Sequence, residues 1–105
     1  MTDLPPPPSA YDRFTKRFPD LATAWEHMAI AGKAGPLDQE TQRLVKLGIA
    51  IGAMREGAVH ASVRKAVSIG IEAEALEQVA ALAASTMGLP ATVAAFLWVR
   101  DILDE

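Results

Sequence analysis

The sequence predicts an all-α protein, and three observations lead to this prediction. Alanine, the strongest helix former, accounts for 20 of the 105 residues. The alternation of apolar and polar residues that marks half-buried strands is scarce. Glycine and proline stand mainly between segments whose apolar residues recur at helical spacing. Because a chain of this length is typical of one domain, we expect a single bundle of about five to six helices over residues 10–105, after a proline-rich flexible arm over residues 1–9.

The arm is predicted from four consecutive prolines, Pro5–Pro8. Proline fixes φ and lacks the N–H donor, which favours an extended polyproline conformation. A short tract of this kind is typical of a tail or of a strap across a neighbouring subunit, and binding to an aromatic groove is the alternative.

The first two predicted helices lie between residue 18 and about residue 54. Pro19 suits a first helical turn, and the first helix ends before Gly35-Pro36. Asp38 is a suitable N-cap for the second helix. That second helix is apolar around most of its circumference, through Leu44, Val45, Leu47, Ile49, Ile51 and Met54. A small monomer cannot bury such a helix completely, so we expect the chain to pack against other copies of itself.

Three further helices are predicted in the second half of the chain. The third extends from about residue 55 to residue 69 and ends at Gly70, a typical left-handed stop. The fourth occupies about residues 72–87, and the fifth has Pro90 in its first turn and continues to Leu103. Residues 79–99 contain no charge, a run of a length that spans a bilayer. Polar and helix-breaking residues interrupt its centre, so two buried helices joined by a tight turn explain the run better.

Composition excludes several classes of function. The formal charge of −3 and the absence of a basic block argue against nucleic acid as a partner. The chain has no cysteine, which excludes disulfides, thiolate metal sites and thiol peroxidase chemistry. Its first residues do not resemble a secretory signal, so we expect a cytoplasmic location.

Glu56 and His60 are the candidate catalytic residues. On a helical projection with about 100° per residue, Val63 and Val67 lie about 20° either side of Glu56, and His60 lies about 40° away. Both ionisable groups therefore share the predicted apolar face, one turn apart and within mutual reach. An ionisable pair on a buried face must be hydrogen-bonded, paired or exposed to a cavity, and such groups suit proton transfer.

Two other interpretations of this pair remain open. The first is a structural carboxylate–histidine contact that fixes helix packing. Alternatively, Glu56 and His60 supply two ligands of a metal site that His27 or Glu26 completes. Because two ligands from one helix without an obvious third are a weak signature, we expect no metal and no cofactor.

Basic residues are the candidates for substrate binding. Lys46 interrupts the most apolar helix and shares a narrow stripe with Arg43, Ala50 and Ala53, which suits the lining of a pocket. The alternative is a lysine whose stem covers apolar surface while its ammonium group reaches water. Arg64, one turn after His60, is placed to bind an anionic ligand or an acidic side chain, or is simply solvated.

A family resemblance rests on the stretch from Arg43 to Gly70, RLVKLGIAIGAMREGAVHASVRKAVSIG, continued by EAEALEQV from Glu72 and TMGLP from Thr86. This pattern of an apolar helix, a histidine helix that ends in glycine and an acidic helix start resembles the carboxymuconolactone decarboxylase and AhpD-like superfamily. The resemblance covers about residues 18–100. At the two positions where the AhpD-like branch has cysteines this chain has Ala53 and Glu56, so thiol peroxidase activity is not implied. The decarboxylase branch is more similar, because it also has a glutamate four residues before the histidine.

The resemblance implies an AhpD-like helical bundle that assembles into trimers or hexamers, and a lyase. In this interpretation His60 is the general acid or base, since imidazole exchanges protons near neutral pH, and Glu56 orients it or shares the proton. Lys46, Arg43 and Arg64 would hold a small carboxylate substrate. The alternative is a non-catalytic assembly or ligand-binding protein that keeps the fold.

Overall fold

The computed structural model describes the backbone of residues 7–105 and the side chains of residues 10–105. Within these residues the structure contains helices and no strand, which confirms the predicted all-α class. The helices are α1 (Pro7–Arg17), α2 (Pro19–Lys33), α3 (Gln39–Gly52), α4 (Glu56–Ser68), α5 (Ala73–Leu82), α6 (Ala84–Met87) and α7 (Leu89–Leu103). The chain divides into two compact units between Pro36 and Leu37.

The first unit contains α1 and α2, which pack against each other. The rings of Phe14 and Phe18 lie 5.5 Å apart at the junction of the two helices, and the guanidinium of Arg17 lies over the Phe18 ring at 4.6 Å. Cation–π and ring contacts of this kind stabilise the turn between the helices.

Helix α1 corrects the predicted polyproline arm. Pro7 and Pro8 lie in the first turn of α1, where a missing N–H costs nothing because that N–H has no partner within the helix. The prediction of an extended conformation is therefore wrong for these two prolines. Pro5 and Pro6 lie outside the described residues.

The second unit is built from four main helices, each of which packs against two others. Helix α3 contacts α4 and α5, and α7 contacts the same two helices from the other side of the core. The fully buried side chains at the centre come from all four helices: Leu47, Ile51, Val59, Val63, Leu76 and Val99. Burial of each such side chain contributes about 1.5–3 kcal/mol of transfer free energy, so these contacts dominate the stability of the unit.

The predicted boundaries of α3, α4 and α7 agree with the structure. Asp38 caps α3 by accepting a hydrogen bond from the Thr41 backbone N–H at 2.8 Å. The single helix predicted over residues 72–87 is instead divided into α5 and α6. The division occurs at Ala83, whose N–H donates to the Ala80 carbonyl three residues earlier, which tightens the last turn of α5. Among residues 7–105, no helix is long and apolar enough to cross a membrane.

Candidate functional site

The turn between α3 and α4 places Glu56 at the start of α4. Met54 has a positive φ of 53°. The Arg55 N–H donates to the Ala50 carbonyl at 3.1 Å, and the Met54 N–H donates to the Ile51 carbonyl at 2.9 Å. This is the Schellman motif, in which the position that Met54 occupies is usually glycine. The motif ends α3 sharply, so that Glu56 becomes the first residue of α4.

The buried face of α4 differs from the predicted one. The buried face of α4 consists of Val59, Ser62, Val63 and Ala66. Val67, which the projection placed at the centre of the apolar face, is 48% exposed. The buried face is therefore rotated away from Glu56, which is exposed, whereas His60 lies at its edge. The prediction that both groups point into the protein is wrong for Glu56 and holds only in part for His60, whose side chain is 22% exposed.

A third residue, the acidic Asp101, joins the pair. Nε2 of His60 lies 3.1 Å from Oδ2 of Asp101 on α7 and 3.9 Å from Oε2 of Glu56. One ligand atom from each of the three residues lies within 4.8 Å of the others. The side chains of Glu56 and Asp101 are 57% and 54% exposed, so the cluster opens to solvent. Two carboxylates thus converge on one ring nitrogen, and we call these three residues the His60 cluster.

The cluster can hold one proton between three groups. When Nε2 is protonated it donates to Asp101, and the Glu56 carboxylate is close enough to stabilise a positive imidazolium. When Nε2 is deprotonated it presents a lone pair to solvent, since part of the ring is exposed. This arrangement suits either proton transfer or metal ligation.

Two arginines on the same helices as the cluster are paired with other acids. Arg64 on α4 donates to Glu105 at 3.2 Å. Arg100 on α7 donates to Glu77 at 3.2 Å and to Asp104. The hydrogen bond that Arg100 donates to the Asp104 carboxylate raises the pKa of Arg100 above its usual range. Arg64 therefore lies one turn from His60 as predicted, with a carboxylate already bound.

Lys46 and Arg43 are not joined to the cluster by any hydrogen bond or ion pair within the described part of the chain. Lys46 is exposed, Arg43 is half-buried, and Ala50 of the same stripe is buried in the core. The groove that α3 does form, of about 570 Å³ against α5, is lined by a different face of α3, which includes Leu44, Gly48 and Gly52. The Lys46 stripe therefore does not line this groove, and its part in substrate binding stays a prediction.

Asp101 is the residue of the cluster that the sequence did not reveal. It lies 41 positions after His60, near the end of α7. Its carboxylate lies within reach of both Glu56 and His60. The signal present in the sequence was the charged pair Arg100-Asp101 between Val99 and Ile102, two apolar residues that the structure buries. That signal places Asp101 on the rim of the core without indicating which helix it faces.

A sequence model of the carboxymuconolactone decarboxylase family matches residues 19–101. The chain belongs to this family. The match includes all three residues of the His60 cluster, with Asp101 as its last position. No curated protein and no solved structure was found to match the chain. Membership of the carboxymuconolactone decarboxylase family confirms the resemblance stated from the Arg43–Gly70 stretch, and it agrees with the all-helical fold.

Proposed function

We propose that this member of the carboxymuconolactone decarboxylase family is a lyase that transfers a proton on a small carboxylate substrate, in decarboxylation or in lactone and enol chemistry. The observation that carries the proposal is the convergence of Glu56 and Asp101 on Nε2 of His60 at a position open to solvent. A general acid or base must be reachable by substrate and held in a defined orientation. His60 meets both conditions.

Each residue has a role in the proposed reaction. His60 acts as the general acid or base, and Glu56 shares or stabilises its proton. Lys46, Arg43 and Arg64 bind the substrate carboxylate through charge-assisted hydrogen bonds. Arg64 is the best placed of the three, since it lies one turn from His60, and it exchanges its contact with Glu105 for the substrate.

We expect a decarboxylation at this site to proceed through an enolate. The bond between the substrate carbon and its carboxylate carbon breaks, carbon dioxide leaves, and the electron pair stays on the substrate as an enolate. Protonated His60 then donates its proton to that carbon. His60 regains a proton from solvent, for which the exposed Glu56 carboxylate provides a route. Substrate is thus converted to product with the uptake of one proton.

The proposal includes assembly into a homo-oligomer, a trimer or a hexamer. Large apolar side chains are exposed on several helices of the second unit, among them Ile49, Leu82, Leu89 and Leu97. Apolar surface of this extent is typical of protein contact sites. Contact with further copies of the chain would cover it.

The experiment compares His60→Gln with the wild type and with His27→Gln, which removes the other histidine of the chain. Lactone acids that stabilise the protein in a thermal-shift screen are used as substrates. We expect turnover to fall by a factor of about 10²–10⁴ in His60→Gln and to be unchanged in His27→Gln. Equal turnover in both variants, or no stabilisation by any lactone acid at any pH, contradicts the proposal.

The alternative is a non-catalytic assembly or ligand-binding protein. The observation that favours it is the exposed apolar surface, which would serve assembly without any reaction at His60. In that case His60→Gln changes the oligomer or its stability rather than turnover. Light scattering of this variant separates the two functions.

A further inference from the structure

We propose that Glu56, His60 and Asp101 form a binding site for one divalent cation of the Zn²⁺ or Co²⁺ class. This goes beyond the acid–base function, because it assigns to the His60 cluster a ligand that does not take part in that reaction. The proposal rests on the geometry of the three side chains and on their chemistry.

The separations between the ligand atoms fit a common metal ion. Nitrogen and oxygen ligands of Zn²⁺ lie about 2.0–2.2 Å from the ion. Two such ligands around one ion are therefore about 3–4 Å apart. The distances from Nε2 of His60 to Asp101 and to Glu56 are 3.1 Å and 3.9 Å, and the whole set lies within 4.8 Å. Both carboxylates are largely exposed, which leaves room for the rotations that would bring all three atoms to one centre.

The types of ligand select the class of ion. Imidazole nitrogen suits Zn²⁺, Co²⁺ and related transition metals, whereas Mg²⁺ and Ca²⁺ prefer sets composed only of oxygen. One imidazole and two carboxylates supply three protein ligands, which leaves at least one coordination position for water or a carboxylate ligand. The imidazole also distinguishes this cluster from a group of surface acids, since it adds a neutral, directional ligand.

The charge of the cluster favours a cation. Two carboxylates and a neutral imidazole carry a charge of −2, and protonation of His60 still leaves −1. Arg64 and Arg100, on the same two helices, are each bound to carboxylates outside the cluster. A divalent ion neutralises both acids at once, which a single proton on His60 does not do.

Proton and cation compete for the same lone pair on Nε2. A bound cation therefore prevents His60 from acting as a base, and affinity for the cation falls as the pH is lowered and the imidazole becomes protonated. The proposed acid–base reaction should accordingly be inhibited by Zn²⁺ and restored by a chelator.

The test is calorimetric titration of the full-length, chelator-treated protein with ZnCl₂, together with the visible absorption of bound Co²⁺. We expect one ion per chain, with Mg²⁺ unable to displace it. Asp101→Asn and Glu56→Gln should each weaken Zn²⁺ binding by more than the roughly 10–100-fold that loss of an outer-shell partner costs, and His60→Gln should abolish it. His27→Gln and Glu74→Gln are the matched controls and should bind as the wild type does.

Two results would overturn the proposal: absence of stoichiometric binding to the wild type, or binding that Asp101→Asn leaves unchanged. Asp101 is largely exposed, so its variant should remain folded, and circular dichroism checks this. The measurement requires no substrate and is therefore separate from the proposed reaction. Zn²⁺ binding without turnover refutes only the lyase function, and turnover without Zn²⁺ binding refutes only the metal site.

Discussion

Nε2 of His60 lies 3.1 Å from Oδ2 of Asp101, although the two residues are 41 positions apart in the chain. Packing of α4 against α7 brings them together, and buried valines of both helices, Val63 and Val99, form the core beside them. The polar contact stands at the edge of that core, where solvent reaches both side chains. Apolar packing thus fixes the position of the cluster, and the side chains of the cluster are open to solvent.

Asp101→Asn should change the stability of the protein by less than about 1 kcal/mol, because partly exposed ion pairs contribute little to folding. Leu76→Ala, a truncation of a fully buried side chain, should cost about 2–5 kcal/mol. Urea unfolding of both variants checks the difference. If the Asp101 variant loses as much stability as the Leu76 variant, the contact with His60 is structural rather than functional.

The predictable part of the fold depends on local signals. Asp38, Gly70 and Pro90 mark helix ends through capping, left-handed backbone and a missing N–H, and each effect acts within one turn. The division between α5 and α6 has no such marker, because Ala83 is itself a good helix former. Local chemistry therefore located α2, α3, α4 and α7, and could not locate this break.

The orientation of α4 shows why the site was only half predictable. The projection found Glu56 and His60 one turn apart, and the structure places them within 3.9 Å. The projection could not decide which apolar residues face the core, because Val63 and Val67 are both valines at the same angle from Glu56. Only Val63 is buried in the structure. The position of Asp101 beside His60 depends on the packing of α7 against α4, which the periodicity of α4 does not encode. Tertiary contacts therefore determine both the buried face of α4 and the third residue of the cluster.

Removal of the charge on Asp38 should make the start of α3 insensitive to acid. The Thr41 backbone N–H, which donates to Asp38, lowers the pKa of this carboxyl below its usual range. Because the pKa is lower in the folded state, the ionised group stabilises the fold above its unfolded-state pKa. That contribution is lost as the pH falls through the folded-state pKa. In thermal melts between about pH 6 and pH 3, Asp38→Asn should lack this part of the pH dependence.

Asp38→Ala is the comparison for this variant, because asparagine still caps a helix and alanine does not. We expect the order of stability at neutral pH to be wild type, Asp38→Asn and Asp38→Ala. At acid pH the first two should converge. A constant difference between the wild type and Asp38→Asn at every pH would show that the charge does not contribute.

Met54→Gly should stabilise the protein relative to Met54→Ala by about 1 kcal/mol. The reason is that a left-handed residue with a Cβ atom costs roughly 1–2 kcal/mol, which glycine avoids. Met54 occupies this conformation at φ 53°. The expected sign is opposite to that in a helix interior, where alanine is the better residue. Denaturant unfolding of the two variants provides the measurement.

Gly70 supplies the matched control within the same chain. Gly70 follows α4 and has a φ of 88°. After it, the Ile71 N–H donates to the Ala66 carbonyl, and the Arg55 N–H donates to the Ala50 carbonyl in the same way at the end of α3. A Cβ atom at Gly70 would meet no atom within 4 Å, so Gly70→Ala tests backbone strain alone. We expect a loss of about 1 kcal/mol. Equal stability of glycine and alanine at both positions would refute the strain at Met54.

Ile49→Glu should reduce self-association of the protein without unfolding it. Ile49 is 65% exposed on α3, so its side chain contributes little to the core of the second unit. If other copies cover this surface, the variant would bury an unpaired carboxylate there, which is costly. The oligomer of the variant should therefore dissociate at a higher protein concentration than that of the wild type. Light scattering over a range of concentrations measures the mass. Ala58→Glu introduces the same charge at an exposed position of α4 and should leave the mass unchanged. A wild-type protein that is monomeric at every concentration, or equal masses for both variants, would rule out assembly through this face of α3.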